Sequence, residues 1–375
     1  MAELYVGLMS GTSLDGVDAV LVDFAGAGIS VRAHADAPIQ PGLREQLLAL
    51  NTPGGQDELH HAALAANALA RLYADVTRDL LAGAGVVRAA VTAIGAHGQT
   101  VRHCPQEFDG TGYTLQLNNP ALLAELAGID VVADFRTRDL AAGGQGAPLV
   151  PAFHRAIFGR TDRAVAVLNL GGISNLSLLP AGTDAQGRVL GFDCGPANAL
   201  MDHWARQHLG RPFDEGGRWA ATGRVLPALL AAMKADPYFG RLPPKSTGRD
   251  LFHPAWLSAH LTGLPSTPAP ADVQATLAEL SAGAVADDLL RHGPGIDELI
   301  VCGGGAFNEH LLARLRALLP GVSVLTSSER GLLPNQVEAT AFAWLARATM
   351  RREPGNLATV TGAQGPRVLG AIYPA

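Results

Sequence analysis

The sequence is poor in lysine: arginine supplies all but two of its 28 basic residues, and the lysines are Lys234 and Lys245. It contains no glycine-rich loop ending in Gly-Lys-Ser or Gly-Lys-Thr, with which P-loop enzymes hold phosphate. It also lacks the lysine strand and the His-Arg-Asp loop of protein kinases. "GGGAFNEHLLARL" follows a strand pattern, but its glycine spacing is not that of dinucleotide-binding folds. The P-loop, protein-kinase and Rossmann modes of phosphate binding are therefore excluded.

Cysteine is scarce, and the three residues are far apart without a Cys-x-x-Cys pair: Cys104, Cys194 and Cys302. Their number and spacing fit neither a disulfide framework nor a structural zinc site, so we expect reduced thiols. The N-terminus also lacks a basic segment followed by a long apolar one. We therefore expect no secretory signal and a cytoplasmic location.

Charge is low as well, with 17% charged residues and a formal net charge of -6. Nucleic-acid-binding surfaces are strongly positive, so we expect no nucleic-acid partner. The longest uncharged run, residues 164–183, is long enough to cross a membrane. Its asparagines, glycines and proline favour a tight hairpin instead, so we expect no membrane partner. A small-molecule partner is favoured, and a homodimer is left open.

The sequence does contain alternating strand and helix patterns, which predict an α/β protein. A chain of 375 residues is long for one core. We predict a first domain of residues 1–135 with a C-terminal return of 364–375, and a second of residues 136–363. Each half begins with a strand, a small-residue loop and a returning strand: "VGLMSGTSLDGVDAVLVDF" and "RAVAVLNLGGISNLSLLP". The segment "RTRDLAAGGQGAPLVPAFH" is predicted to be irregular because it is rich in glycine.

Small-residue turns between strands expose backbone N–H groups that can hold phosphate oxygens. A third glycine cluster, "VCGGGAFN", lets a phosphate or a flat ring lie against the main chain. Each pattern alone is equally typical of an ordinary β-hairpin or turn. Together they favour a protein that holds a polyphosphate between two turns.

Eight segments between residues 7 and 374 resemble the anhydro-N-acetylmuramic acid kinase family, within the sugar kinase, heat-shock-protein and actin superfamily: "GLMSGTSLDGVDAVLVDF", "GAHGQTVRH", "DVVADFRTRDLAAGGQGAPLVPAFH", "LNLGGISNLSLL", "GFDCGPANALMD", "PKSTGRD", "VCGGGAFN" and "TGAQGPRVLGAIYP". The resemblance implies a two-domain actin-like ATPase fold, with mixed sheets flanked by helices and the nucleotide in the cleft between the domains. It also implies ATP and Mg²⁺ as cofactors and an amino sugar as substrate. The implied reaction, part of cell-wall recycling, opens the 1,6-anhydro ring and phosphorylates O6, giving N-acetylmuramic acid 6-phosphate and ADP.

The resemblance places nucleotide contacts in three segments. They comprise the first loop (Gly11, Thr12, Ser13, Leu14, Asp15, Gly16, Val17 and Asp18), the second (Gly171, Gly172 and Asn175) and the adenosine-side turn (Gly303, Gly304, Gly305 and Asn308). Asp15 or Asp18 is the predicted carboxylate that orients water on Mg²⁺. An aspartate in such a loop is also typical of a turn that bonds its own backbone.

Asp193 is the predicted general base for water, because burial between Phe192 and Cys194 raises a carboxyl pKa. The alternative is that Asp193 caps the next helix. Glu338 is a second candidate catalytic carboxylate, although glutamate is common in a first helical turn.

The predicted sugar contacts follow two strand patterns and one loop: His97, Gln99, Thr100, Arg136, Arg138, Asp139 and Lys245. An arginine here fits the lactyl carboxylate of a muramic sugar, and Lys245 fits either the nucleotide or the sugar. A structural histidine and a solvent-facing charge group are the alternatives.

Three other activities fit parts of this pattern. A plain sugar or polyol kinase would leave every glycosidic bond intact. A nucleotide-switched binding ATPase of the actin type would need no sugar. A glycosidase with paired carboxylates would need no ATP. ADP release with and without candidate sugars distinguishes these activities.

Overall fold

A computed structural model describes residues 2–11, 14–26, 28–182, 188–248 and 251–375. Its strands, in chain order, are β1 Leu4–Met9, β2 Gly16–Asp23, β3 Ser30–Pro38, β4 Val91–Ala96, β5 Gln99–Pro105, β6 Gly112–Leu117, β7 Val131–Ala133, β8 Ala164–Leu170, β9 Ile173–Leu179, β10 Leu190–Pro196, β11 Ile296–Cys302, β12 Ser323–Thr326 and β13 Ala371–Tyr373. Its helices are α1 Pro41–Leu50, α2 Glu58–Ala84, α3 Pro120–Ala127, α4 Thr137–Ala141, α5 Val150–Phe158, α6 Asn198–Leu209, α7 Pro227–Lys234, α8 Pro254–Thr262, α9 Pro270–His292, α10 Glu309–Leu318, α11 Val337–Met350 and α12 Ala358–Thr361. Short 3₁₀ helices connect several of these elements.

The first of two compact units contains Met1–Ile157 and Gln336–Ala375. Its main sheet has the strand order β13-β7-β4-β1-β2-β3. Strands β1, β2 and β3 form an antiparallel meander, and β4 and β7 add parallel strands on the other side of β1. The opening hairpin of the sequence is therefore confirmed.

The second unit, Phe158–Asn335, has a sheet with the order β10-β9-β8-β11-β12. Strands β8, β9 and β10 again form an antiparallel meander, and β11 and β12 add parallel strands beyond β8. The strands β3-β2-β1-β4-β7 of the first unit have the same order and the same relative directions. The duplicated topology confirms the predicted actin-like α/β class with mixed sheets.

The unit limits differ from the predicted domain limits, because residues 136–157 and 336–363 belong to the first unit. Helix α11 lies directly on the first sheet. A Cβ atom added to Gly7 would lie 1.9 Å from the carbonyl oxygen of Ala339, and one added to Gly95 would lie 2.0 Å from that of Phe342. The helix backbone is thus part of this core.

The segment predicted to be irregular is instead partly helical, since α4 and α5 form within it. The buried carboxylate of Asp139 on α4 accepts hydrogen bonds from Asn356 Nδ2 at 2.6 Å and Thr361 Oγ1 at 2.8 Å. These contacts join the segment to the C-terminal part of the same unit.

Cys104, Cys194 and Cys302 form no disulfide bond with one another. Within the described ranges, no helix combines the length and apolar character needed to cross a membrane. The uncharged run at residues 164–183 forms the predicted hairpin of β8 and β9.

Candidate functional site

The loop between β1 and β2 was predicted to hold phosphate, and Thr12 and Ser13 lie outside the described residues. The Leu14 N–H donates to the Gly11 carbonyl at 3.2 Å. The side chains of Leu14 and Val17 are buried in the hydrophobic core of the first unit. Only the backbone of these two residues is therefore left for the predicted nucleotide contact, which stays a prediction.

Two carboxylates of the first unit influence each other. Asp18 lies on β2, with its side chain 45% exposed and 3.3 Å from His34 Nε2. Glu338, in the first turn of α11, is partly buried; burial raises its pKa, the charge of Asp18 raises it further, and that of Arg136 opposes the rise. The two carboxyl groups thus lie in one local electrostatic environment.

Among the described residues, no group of three or more His, Cys, Asp or Glu side chains could hold a metal ion. The predicted metal site is therefore not a preformed cluster of protein ligands. Asp15 is exposed, and Asp18 is partly exposed. Mg²⁺ is usually bound by one or two carboxylates, with phosphate and water completing its shell. The donor set of Asp18 and Glu338 fits that type of site.

Arg136 and His97 form the centre of a buried polar cluster. Arg136 donates to the Gly146 carbonyl at 2.9 Å and to His97 Nε2 at 2.9 Å. Because a guanidinium has no acceptor, His97 Nε2 accepts, and the ring proton is on Nδ1. Burial, assisted by the charge of Arg136, holds the pKa of His97 well below its usual range. His97 is therefore neutral.

Among the described residues, several polar atoms around His97 are buried with no hydrogen-bond partner: Gln99 Oε1, Arg136 Nε and both amide atoms of Asn118. Gln99 lies opposite Leu117 in the β5–β6 ladder, and a Cβ added to Gly98 would lie 3.2 Å from Asn118 Cβ. Buried polar groups are nearly always paired in native proteins. This cluster therefore offers donors and acceptors that could bind a polar ligand.

The remaining predicted sugar contacts of this unit separate into different environments. Thr100 Oγ1 accepts a bond from Gln116 Nε2 at 3.2 Å, and Arg138 is exposed. Asp139 is fully buried and also accepts from the Gly146 N–H at 2.8 Å. The prediction that Asp139 contacts the sugar is corrected, because its side chain is fully buried and hydrogen-bonded inside the first unit.

In the second unit, Asp193 lies at an irregular point of β10. The pairing of β10 with β9 shifts register between Asp193 and Gly195, and Gly195 has a φ of 149°. Helix α6 begins at Asn198 after Ala197, so the alternative that Asp193 caps this helix is wrong.

The two carboxylate oxygens of Asp193 are in different environments. Oδ2 accepts from Ser246 Oγ at 3.1 Å and from the Thr247 N–H at 3.0 Å. In the part of the chain that the structure describes, no donor reaches Oδ1. Burial raises the pKa of Asp193, and the bonds from Thr247 and Ser246 and the charge of Lys245 oppose the rise. Oδ1 is thus free to accept a proton.

Lys245 was predicted to contact the nucleotide or the sugar. Its side chain is only 1% exposed and forms an ion pair with Asp288 at 2.8 Å. This assignment is corrected, because the ammonium group is enclosed within the second unit.

The second glycine turn is bonded to α6. The carbonyls of Gly171 and Gly172 accept from the N–H groups of Asn198 at 3.0 Å and Ala199 at 3.1 Å. Asn175 lies opposite Asp193 in the β9–β10 ladder. The turn therefore brings the start of α6 close to the candidate base.

The third glycine segment passes tightly over β8. Gly303 has a φ of 77°, and a Cβ atom there would lie 2.3 Å from Asn169 Oδ1. A Cβ added to Gly305 would lie 2.5 Å from Leu170 Cβ. These positions therefore require glycine whether or not a ligand is bound.

A cavity of about 520 Å³ lies beside this segment, and its walls include Gly304, Phe307 and Asn308. Asn308 Oδ1 accepts from the Leu311 N–H at 3.0 Å, so this residue also caps α10. Gln274 lines the cavity as well; it is fully buried, and both of its amide atoms lack a partner. Sequence reasoning missed Gln274 and Asn118, because a lone amide side chain belongs to no recognisable motif.

Comparison with known proteins extends over the whole chain. The family model for anhydro-N-acetylmuramic acid kinase matches residues 3–375. The chain is 69% identical to an anhydro-N-acetylmuramic acid kinase of Variovorax paradoxus, covering 100% of this chain and 99% of that one. It is 62% identical to the same-named protein of Albidiferax ferrireducens, with 100% of both chains covered. The xylulose kinase structure from Rhodospirillum rubrum is a distant match: TM-score 0.45 and 14% identity, over 92% of this chain and 90% of that one. The full-length agreement with the family model and with these relatives places the chain in the anhydro-N-acetylmuramic acid kinase family.

Proposed function

We propose that the protein is an ATP-dependent kinase that opens the 1,6-anhydro ring of anhydro-N-acetylmuramic acid and phosphorylates O6. The products are N-acetylmuramic acid 6-phosphate and ADP, and the reaction would serve cell-wall recycling in the cytoplasm. The observation that carries this proposal is the environment of Asp193: its pKa is raised, one oxygen is held by two donors, and no donor among the described residues reaches the other. Membership in the kinase family supports it.

The reaction begins with a water molecule at Asp193 Oδ1. Oδ1 takes a proton as the water oxygen attacks the anomeric carbon, and the bond from that carbon to O6 breaks. The electron pair left on O6 then attacks the γ-phosphorus of ATP, and ADP leaves. A raised pKa makes the carboxylate a stronger base.

The polar cluster of the first unit supports recognition of the sugar. Arg136 Nε offers a donor, Gln99 Oε1 offers an acceptor and the amide of Asn118 offers both. Hydroxyl, acetamido and carboxylate groups of a muramic sugar match this set. The neutral state of His97 favours a hydrogen-bonding role over proton transfer.

Each unit by itself offers candidate contacts for ATP: the loop after β1 in the first unit, and in the second the Gly171–Gly172 turn for phosphate and the 520 Å³ cavity for the adenosine. Asp18 and Glu338 would hold Mg²⁺, which supplies positive charge to the phosphates. That charge is needed because the only lysines are Lys234, in an exposed ion pair with Asp287, and the enclosed Lys245.

The reaction is tested by measuring ADP release with anhydro-N-acetylmuramic acid, with an ordinary hexose and without sugar. In ¹⁸O-labelled water, early-trapped product should carry label on the anomeric carbon and none in the phosphate ester. Label in the ester, or ring opening without ATP, would contradict the proposed mechanism. A plain sugar kinase would leave the anhydro bond closed, and a switch ATPase would release ADP without sugar.

A further inference from the structure

A buried ion pair lies behind the candidate base. Lys245 Nζ is 3.0 Å from Asp288 Oδ1 and 2.8 Å from Oδ2, and the two side chains are 1% and 4% exposed. The ammonium group also lies 5.2 Å from the centre of the Tyr238 ring. Solvent does not reach this pair, so it acts on the reaction through the charge of Lys245, which favours the ionised form of Asp193, and through the residues that it holds.

Those residues bond the backbone of Asp193 on both sides. The Asp193 N–H donates to the Lys245 carbonyl at 3.1 Å, and the Tyr238 hydroxyl donates to the Asp193 carbonyl at 2.8 Å. Strand β10 is at the edge of its sheet, and its ladder with β9 is irregular between Asp193 and Gly195. The bonds from Lys245 and Tyr238 therefore supply order where the sheet is irregular.

The same segment also holds the side chain. Ser246 and Thr247, which follow Lys245 directly, donate the two bonds to Asp193 Oδ2. Anchoring Lys245 to Asp288 on α9 therefore determines where both donors lie and, through them, which oxygen faces water.

We propose that Lys245 and Asp288 are positioning residues for Asp193: their ion pair holds residues 245–247 so that Oδ2 is occupied and Oδ1 is presented to the attacking water. This inference rests on the proposed function. The chain also offers a matched contrast. Its other lysine, Lys234, pairs with Asp287 on the same helix, but these side chains are 32% and 52% exposed and lie outside the bonds to Asp193.

The test replaces the pair with uncharged side chains of similar size, Lys245→Met with Asp288→Asn, which leaves no uncompensated buried charge. We expect kcat to fall about 10- to 100-fold, because small displacements of a catalytic group cost that much. The KM values for ATP and sugar should change little. The control, Lys234→Met with Asp287→Asn, should stay within about twofold of wild type, since exposed pairs contribute little.

The pH dependence of kcat separates positioning from simple stabilisation. Donors to a carboxylate favour its ionised form, so a displaced segment should raise the pKa of Asp193 and move the acid limb of the profile to higher pH. The other ionisable groups around this site are Cys194, Tyr238, Lys245, Asp288 and His292. Loss of the Lys245 charge also raises the pKa of Asp193 directly, so the acid limb is compared with that of Tyr238→Phe, which leaves both charges in place.

A folded double variant with wild-type kcat and acid limb would overturn the proposal, even if its melting temperature fell. If the double variant does not fold, the Tyr238→Phe variant tests the proposal instead. It removes only the hydroxyl group that donates a hydrogen bond to the Asp193 carbonyl. A several-fold lower kcat with a shifted acid limb would support the proposal, and an unchanged profile would refute it. Failure of the wild-type enzyme to release ADP with the anhydro sugar would instead refute the proposed function.

Discussion

At the scale of single residues, we expect the largest effect on catalysis from replacing one carboxylate oxygen of Asp193. Asp193→Asn keeps the size of the side chain but removes the base, so we expect turnover to fall by about 10²–10⁴-fold while ATP binding persists. ADP release and calorimetric binding of a non-hydrolysable ATP analogue measure these two effects. Asp75→Asn, which changes an exposed carboxylate on α2, is the control. Near-normal turnover in Asp193→Asn would show that the base lies elsewhere.

Asn118 tests whether the unpartnered polar cluster recognises the sugar. Asn118→Leu removes both amide atoms, and a lost bond in a buried site costs about 1–3 kcal/mol. We therefore expect the KM for the sugar to rise about 5- to 100-fold, with the KM for ATP unchanged. Steady-state kinetics with each substrate varied in turn provide the measurement. Asn51→Leu, at the exposed end of α1, should change neither value; equal KM values for the sugar in both variants would argue against a role for Asn118.

At the scale of elements, the packing of α11 on the first sheet depends on glycine. A Cβ at residue 7 would lie 1.9 Å from a helix carbonyl oxygen, so Gly7→Ala must push the helix away from β1. Overpacking of this kind typically costs about 1–3 kcal/mol. Urea unfolding should show this loss in the free energy of unfolding of Gly7→Ala.

The control for that experiment is Gly83→Ala. Gly83 lies inside α2, where an added Cβ meets nothing within 4 Å, and alanine is the better helix former by about 1 kcal/mol. This variant should be as stable as wild type or slightly more stable. A Gly7→Ala protein of equal stability would mean that the helix lies farther from the sheet than the structure places it.

At the scale of the whole molecule, buried neutral histidines make stability depend on pH. Burial lowers the pKa of His154 to about 3, and His97 is also held well below its usual range. The unfolded chain binds protons near pH 6.5. Stability from these residues is therefore complete above that value and is lost as pH falls toward the folded pKa, by up to about 1.4 kcal/mol per pH unit for each histidine.

His154→Leu isolates one of these contributions. Urea unfolding at pH 6 and at pH 5 should show a smaller loss of stability in the variant than in wild type, because its unfolded state binds one proton fewer. The raised pKa of Glu338 acts in the opposite direction and is common to both proteins. An identical pH slope would show that His154 is protonated in the folded state.

The sequence by itself determined the features that depend on neighbouring residues. Apolar alternation around small-residue turns predicted both opening hairpins, and strand-to-helix patterns predicted β4 and β11. The pattern also located the glycine turn at Gly303. Such features follow from backbone preferences and periodicity within a few residues, so they can be derived before any fold is known. The choice of Asp193 and His97 as functional residues rested on the resemblance to a known family, and their roles stay predictions.

Only the tertiary structure decided the roles that depend on distant partners. Lys245 meets Asp288 and Asp139 meets Thr361, so charges that suggested ligand contacts are enclosed within the fold. The free oxygen of Asp193 depends on residues more than 50 positions away. The physical reason is that burial and hydrogen-bond pairing are properties of the assembled core. The residue type alone says which bonds a side chain can form, and the packing decides which it does form.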